Sequence, residues 1–197
     1  MKRLFDFACA LIGIILLSPV MLVITILIKF SSKGSVLFKQ KRVGLNERIF
    51  FIYKFRTMVV GAEKLGPKIT IGKDARITKI GVILRKTKLD ELPQLFNVLI
   101  GDMAIVGPRP EVPEYVGLYS TEIKKIVLSV RPGITDYASL VMIDENEILA
   151  QSADPKSAYI NKIMPQKLDL AVKYIKEQSF FCDLSIIFQT LIKIFYR

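Results

Sequence analysis

Two adjacent carboxylates, Asp90 and Glu91, stand just ahead of Pro93. Proline is tolerated in a helix only in the first turn, so if Leu92–Leu99 is helical both carboxylates sit at its amino-terminal end. The helix dipole and free N–H groups there favour the ionised form, and Arg85, Lys86 and Lys88 act in the same direction. An ionised carboxylate can bind a hard divalent cation or attack phosphorus. The plainer alternative is that Asp90 is an N-cap and Glu91 its solvated neighbour. A second set of groups is cationic. Lys54 and Arg56 follow a strand-like run, and Arg109 and Arg131 each adjoin proline in stiff loops. Arginine held rigidly presents a fork that matches phosphate oxygens. Each of these cations taken alone also fits a solvated surface, the reading preferred for Lys86 and Lys88.

These groups need elements to position them. Val36–Phe38 and Ile49–Tyr53 read as short strands of a hairpin, joined through a polar turn at Lys41–Glu47. Thr78–Arg85 is expected to be helical, and Leu92–Leu99 continues an apolar helical pattern that Gly101 ends. Glu114–Leu128 is expected to form one amphipathic helix, stopped before Arg131-Pro132-Gly133, and Lys167–Lys176 another. In Asp183–Arg197, Leu184, Ile187, Phe188, Leu191, Ile194 and Phe195 share one face, and Ser185, Gln189, Lys193 and Arg197 line another. That stripe suits either core packing or a helix lying in a membrane interface. Gly61–Asp74 reads as a loop. Its glycines are wrongly spaced for a phosphate-binding P-loop, and Asp74 stands where Ser or Thr is needed.

The amino-terminal run Phe7–Ile28 carries no charge and is long enough to cross a hydrocarbon core of ~30 Å as one helix. It is long for a signal peptide's apolar region, and no A-x-A-like site follows. Ser18-Pro19 lies near its middle, where proline removes a helical hydrogen bond; Ser18 is placed to satisfy a freed backbone group. Lys2 and Arg3 precede the run, and Lys29, Lys33, Lys39, Lys41 and Arg42 follow it. Positive residues favour the cytoplasmic side, so both flanks ask for the same face. The residues alone leave a spanning helix and a re-entrant one equally open.

Composition narrows the chemistry. The chain has 197 residues and a net charge of +11, with two cysteines and no histidine. That is enough for one domain with its own core. Without histidine, Ser-His-Asp and Cys-His catalysis and His-ligated metals are excluded, so acid–base work falls to carboxylates, Lys or Tyr. Cys9 and Cys182 form no disulfide framework. The basic balance suits nucleic acid, anionic lipid or phosphate-bearing substrates. A membrane-anchored basic nucleic-acid-binding protein or a non-catalytic scaffold is the alternative to an enzyme. The cations stand beside prolines and carboxylates rather than on an aromatic-studded basic face, which speaks against nucleic acid.

Taken in order, the motifs resemble the bacterial sugar transferase family, the monotopic phosphoglycosyl transferases that start lipid-linked glycan assembly. The likeness runs from Lys2-Arg3-Leu4-Phe5-Asp6 and the Ser18-Pro19 pair through Lys41–Asn46 and Ile52–Met58. It is strongest from Leu89 to Leu99, Gly101 to Met103 and Val106 to Pro110, and closes at Arg131-Pro132-Gly133-Ile134-Thr135.

The resemblance implies an α+β, mainly helical fold. It would have an amino-terminal re-entrant membrane helix-break-helix over residues 1–35, and a cytoplasmic catalytic domain over 36–197 with a small β-hairpin and amphipathic helices at the membrane interface. It implies transfer of a sugar 1-phosphate from a UDP-sugar to polyprenyl (undecaprenyl) phosphate at the cytoplasmic face of the bacterial inner membrane, with release of UMP. Asp90 would be the nucleophile. Glu91 would complete the dyad, supporting Mg²⁺ or orienting Asp90, so that both are candidate metal ligands. Lys54 would pair with the dyad, and Arg85, Arg109 and Arg131 would hold phosphates beside Arg56. Membrane lipids and downstream glycosyltransferases are the further partners implied, and a homodimer is left open. Many members read Gly-Ile-Thr-Gly where this chain has Gly133-Ile134-Thr135-Asp136. Asp136 adds a charge, and Val141–Ala150 after it is expected to shape the sugar pocket.

Overall fold

A computed structural model describes residues 1–62, 65, 74–142 and 149–196. Most of the expected Gly61–Asp74 loop and the middle of Val141–Ala150 lie outside the described residues. The fold is mainly helical, with a small antiparallel hairpin and a long apolar helix at the amino terminus.

Helix α1 spans Lys2–Ser31 and continues through Pro19 without the interruption the sequence suggested. Proline has no N–H to give Ile15, four residues back, and the Ser18 hydroxyl donates to that carbonyl over 2.8 Å. The freed acceptor is thereby satisfied inside the helix. Strands β1 (Leu37–Val43) and β2 (Ile49–Phe55) pair antiparallel, with Phe38 opposite Lys54 and Arg42 opposite Phe50. They are longer than expected. Lys41–Val43, read as turn, belong to β1, and the chain reverses through Asn46 and Glu47, both at positive φ.

Helix α2 (Lys79–Lys86) starts at Thr78, whose hydroxyl accepts from Gly81 N. A 3₁₀ turn at Leu89–Glu91 leads into α3 (Gln94–Ile100), which ends at left-handed Gly101. Strand β3 (Ala104–Val106) follows. The helix expected over Glu114–Leu128 is two helices, α4 (Pro113–Val116) and α5 (Thr121–Val127). Ser120 accepts from Ile123 N and so begins a new helix inside that stretch, which periodicity alone did not reveal. Strand β4 (Gly133–Thr135) pairs parallel with β3, a pairing between three-residue strands too short to announce itself in sequence. Helix α6 (Tyr137–Val141) is capped by Asp136 and α7 (Pro155–Ala158) by Asp154. A π-turn at Tyr159–Ile163 opens α8 (Met164–Glu177), and α9 (Phe180–Phe195) closes the fold, capped by Ser179.

The long helix packs onto the body along much of its length. Ala10 is buried with Phe50, Ile52, Val98 and Met103. Ile24 and Ile28 are buried with Phe55 and Leu84, beside Leu89 and Leu92. Its other faces are apolar and open: Ile15 is 63% exposed and Leu16 70%. Helix α9 is similarly divided. Asp183 and Ile186 are buried, whereas Phe181, Leu184, Phe188 and Leu191 are exposed. Much of the apolar stripe read from the sequence therefore does not pack in the core. The two helices meet where Phe5 and Phe180 stack edge to face at 5.2 Å.

Candidate active site

The hairpin, the 3₁₀ turn and the Pro108–Glu111 loop converge on one cleft of about 1860 Å³. Strand β2 carries Lys54 to it, and the turn carries Asp90 and Glu91. Lys54 Nζ donates to Glu91 Oε1 over 2.9 Å. Arg109, from the loop after β3, donates to the same oxygen over 2.5 Å and to Oε2 over 3.4 Å. Glu91 is thus held between two cations.

The turn is set by Lys88, which adopts a left-handed conformation (φ 59°, ψ 11°) and redirects the chain out of α2. Such backbone at a non-glycine residue is uncommon and clusters at functional sites. Neither carboxylate caps a helix. Lys88 and Pro93 are the N-cap residues here, and neither turn nor helix receives a side-chain cap hydrogen bond.

The two neighbours differ in charge environment. Burial raises the Asp90 carboxyl above its usual range; Lys54, Lys88 and Arg85 oppose this and Glu91 reinforces it, without reversing the shift. The sequence suggested that cations and dipole would dominate at Asp90, but desolvation wins. Burial also acts to raise Glu91, yet Arg109 and Lys54 outweigh it and hold that carboxyl well below its usual range. Two acids pushed in opposite directions are suited to different roles. Lys54 is lowered, first by burial and against the pull of Glu91.

The remaining candidates differ in where they lie. Arg85, at the end of α2, lines the cleft and donates from Nε to Thr57 Oγ1 over 2.9 Å. Arg56 also borders the cleft, but its fork is committed to the end of α1, with Nη1 on Lys33 O at 2.8 Å and Nη2 on Ser32 O at 2.8 Å. Arg131 is not among the cleft-lining residues; its Nε donates to Gly101 O over 2.9 Å. Ser18 and Pro19 lie in α1, away from the carboxylates in sequence and in role. Asp136 lines the cleft and caps α6, accepting from Ser139 N over 2.8 Å in extended backbone that needs no glycine.

Sequence reading missed a second polar cluster on the same cleft. Arg42 Nη1 donates to Glu111 Oε1 over 3.1 Å and to Pro110 O over 2.9 Å, and Tyr159 donates to Glu111 Oε2. Strand alternation could have found Arg42. Once β1 is carried past Phe38, Arg42 falls on the same face as Phe38, Gln40 and the cross-strand Lys54.

A hard cation would find few ligands of its own. Among the described residues no group of three or more carboxylates or thiols comes together. Asp90 and Glu91 could hold such a cation only with further ligands from outside the chain, a coordination Mg²⁺ accepts.

The motif order and this geometry agree with comparison to known proteins. The model of the bacterial sugar transferase family matches residues 1–197. This chain belongs to the bacterial sugar transferase family. It is 40% identical over 192 residues to a UDP-N-acetylgalactosamine-undecaprenyl-phosphate N-acetylgalactosaminephosphotransferase from Aeromonas hydrophila, covering 96% of this chain and 42% of that protein. It is 36% identical over 197 residues to a UDP-glucose:undecaprenyl-phosphate glucose-1-phosphate transferase from Escherichia coli (strain K12), covering 98% of this chain and 40% of that one. The exopolysaccharide production protein ExoY of Rhizobium meliloti (strain 1021) is 35% identical over 205 residues, covering 96% of this chain and 83% of ExoY. The chain thus spans about two fifths of the length of the first two relatives. In this family member the cleft brings together Lys54, Arg85, Asp90, Glu91 and Arg109, and leaves Arg131 outside.

Proposed function

We propose that this sugar transferase moves a sugar 1-phosphate from a UDP-sugar to polyprenyl phosphate, undecaprenyl phosphate in the bacterial membrane, and so begins a lipid-linked glycan. The observation that carries this is the contrast between the adjacent acids. Glu91 is locked to Lys54 and Arg109, whereas Asp90 takes no ion pair among the described residues and faces the cleft. The names of the Aeromonas and Escherichia relatives supply the donor and acceptor classes.

In the reaction, an Asp90 carboxylate oxygen attacks the sugar-bearing phosphorus. The bond from that phosphorus to UMP breaks, and UMP departs with the electron pair. The polyprenyl phosphate oxygen then attacks the same phosphorus, and the Asp90 carboxylate is regenerated. A covalent step lets a soluble nucleotide and a lipid use one site in turn. Arg85 and Arg109 are placed to receive phosphate oxygens, and Lys54 keeps Glu91 ionised beside the nucleophile. Mg²⁺, held through the Asp90–Glu91 pair and donor phosphates, would offset pyrophosphate charge and help UMP depart.

The same reading makes residues 1–35 a re-entrant membrane segment, with α1 bent at Ser18-Pro19 but unbroken, and 36–197 the catalytic part, on the cytoplasmic face of the inner membrane. Two observations support this. Arg3 bonds to Val98 O and Leu99 O, while Ser32 O and Lys33 O take Arg56. Both ends of α1 are therefore fixed to one body, whereas a spanning helix carries its ends to opposite sides of a core ~30 Å thick. Basic residues flank both ends, as one cytoplasmic face requires. The exposed Phe181, Leu184, Phe188 and Leu191 stripe of α9 suits a helix lying in the interface. Downstream glycosyltransferases would consume the product.

The test is UMP release by the purified full chain in lipid across a panel of UDP-sugars, with undecaprenyl phosphate and Mg²⁺. At least one sugar is expected to yield UMP and a lipid diphosphate-linked sugar. No release from any UDP-sugar would sink the proposal.

A further inference from the structure

We infer that Arg131 and Arg3 are positioning residues that clasp the carbonyl end of α3 and so fix the Asp90–Glu91 turn at its other end. The kinetic part of this inference rests on the proposed activity. The last carbonyls of a helix have no partner within it, and cations near them are favourable. Here Arg3 donates from Nη1 to Val98 O over 2.5 Å and from Nη2 to Leu99 O over 2.9 Å. Arg131 donates from Nε to Gly101 O over 2.9 Å. Three carbonyls at one helix end are thus held by two guanidinium groups distant in sequence.

The fit is close. Gly101 has φ 98°, and a Cβ there would stand 3.2 Å from Arg3 Nη2. Arg131 is itself anchored, because the next residue, Pro132, accepts from Ala104 N over 2.8 Å at the start of the β3–β4 pair. Its backbone is fixed by the strand that follows the helix, and its side chain reaches back to the helix end.

Helix α3 has seven residues, too few to be stable or located by its own hydrogen bonds. Its register is set from outside. Asn97, fully buried, donates to Phe51 O over 2.7 Å and accepts from Tyr53 N over 2.9 Å. Tyr53 precedes Lys54, so the seating of α3 against β2 is also the seating of Glu91 against Lys54. The arginine clasp fixes the helix along its axis, and Asn97 fixes it sideways. Arg131 lies outside the cleft that holds Arg85 and Arg109, so the phosphate-holding role suggested by its motif passes to those two. Arg3 belongs to α1, so the clasp also joins the membrane helix to the reacting turn.

The experiment uses the full chain in lipid nanodiscs with Arg131→Ala, Arg131→Lys and Arg3→Ala. Amide hydrogen exchange over residues 89–103 is measured alongside kcat and donor KM for UMP release. In Arg131→Ala, exchange at the 89–91 turn and along α3 should rise about tenfold, and kcat should fall by about tenfold to a hundredfold with donor KM within about twofold, as small displacements of reacting groups do. Arg131→Lys keeps one donor towards Gly101 O and should recover most of both losses. A donor KM raised tenfold or more at unchanged kcat would make Arg131 a phosphate ligand and overturn the inference. Faster exchange with kcat unchanged would leave a merely structural contact and also overturn it. If the wild type released no UMP, the proposed activity would fall, while unchanged exchange at residues 89–91 in Arg131→Ala and Arg3→Ala would separately sink the clasp.

Discussion

Lys54 Nζ lies 2.9 Å from Glu91 Oε1, and this bond joins the hairpin to the turn that carries Asp90. Removing the charge on Glu91 leaves Lys54 buried without its partner. A fully buried pair broken on one side costs about 3–5 kcal/mol, but the Arg109 side chain is 36% exposed and solvent screens it. Glu91→Gln is therefore expected to cost about 2 kcal/mol, read by chemical unfolding in detergent. Because Glu91 is held well below its ordinary value of 4.5, its contribution is complete above that value and is lost as pH falls through the lowered one. The wild type and Glu91→Gln should converge in stability only in strong acid.

Asp90 has the opposite sign. Burial raises its carboxyl above the ordinary value of 3.8, so activity should fall as pH drops through that raised value. The pH dependence of kcat/KM checks this. Arg85→Ala removes a cation that favours the ionised form and should move the acid limb further up. Ionising Asp90 costs stability as pH rises from the ordinary value of 3.8 through the raised one, so Asp90→Asn should be more stable than wild type at pH 7 by chemical unfolding. That gain should vanish in acid.

Gly81 fixes how closely α2 approaches the strand that brings Lys54. A Cβ there would meet Thr57 O at 2.0 Å, and backbone cannot yield as a flexible side chain would. Gly81→Ala should shift α2, detach Arg85 from Thr57 and cost about 2–3 kcal/mol, typical of overpacking. Thermal melting and UMP release should fall together.

The placement of α1 predicts a labelling pattern. A single cysteine near Met1, introduced after replacing Cys9 and Cys182 by serine, should react in sealed inverted vesicles with an impermeant reagent added outside. Reaction from the periplasmic side alone would rule out a re-entrant helix.

Much of this was legible in the chain. Asp90, Glu91 and Pro93 marked the turn because proline restricts where a helix can begin. Gly101 marked the end of α3 because left-handed backbone suits glycine. Ser18 beside Pro19 signalled a satisfied carbonyl, and Ser18 does bond to Ile15 O. Other features depend on partners that periodicity does not reveal. Arg42 was hidden because β1 runs on into residues that resembled a turn, so strand alternation was not carried as far as Arg42. Arg131 stood beside proline, as Arg109 does, yet tertiary packing sends one to a helix end and the other to Glu91. Burial at Asp90 outweighed nearby cations that sequence could count, since desolvation belongs to the folded state alone.

The proposed reaction turns on Asp90 carrying the sugar phosphate. The most direct measurement is mass spectrometry of the Asp90 peptide after the full chain, in lipid with Mg²⁺, meets a reactive UDP-sugar without polyprenyl phosphate. The predicted result is about one equivalent of UMP per active site, as one covalent turnover requires, with a matching sugar-phosphate mass on Asp90 that disappears when undecaprenyl phosphate is added. Asp90→Asn should give neither. UMP formed only after the lipid acceptor is added, with an unmodified Asp90 peptide throughout, would rule out a covalent Asp90 step.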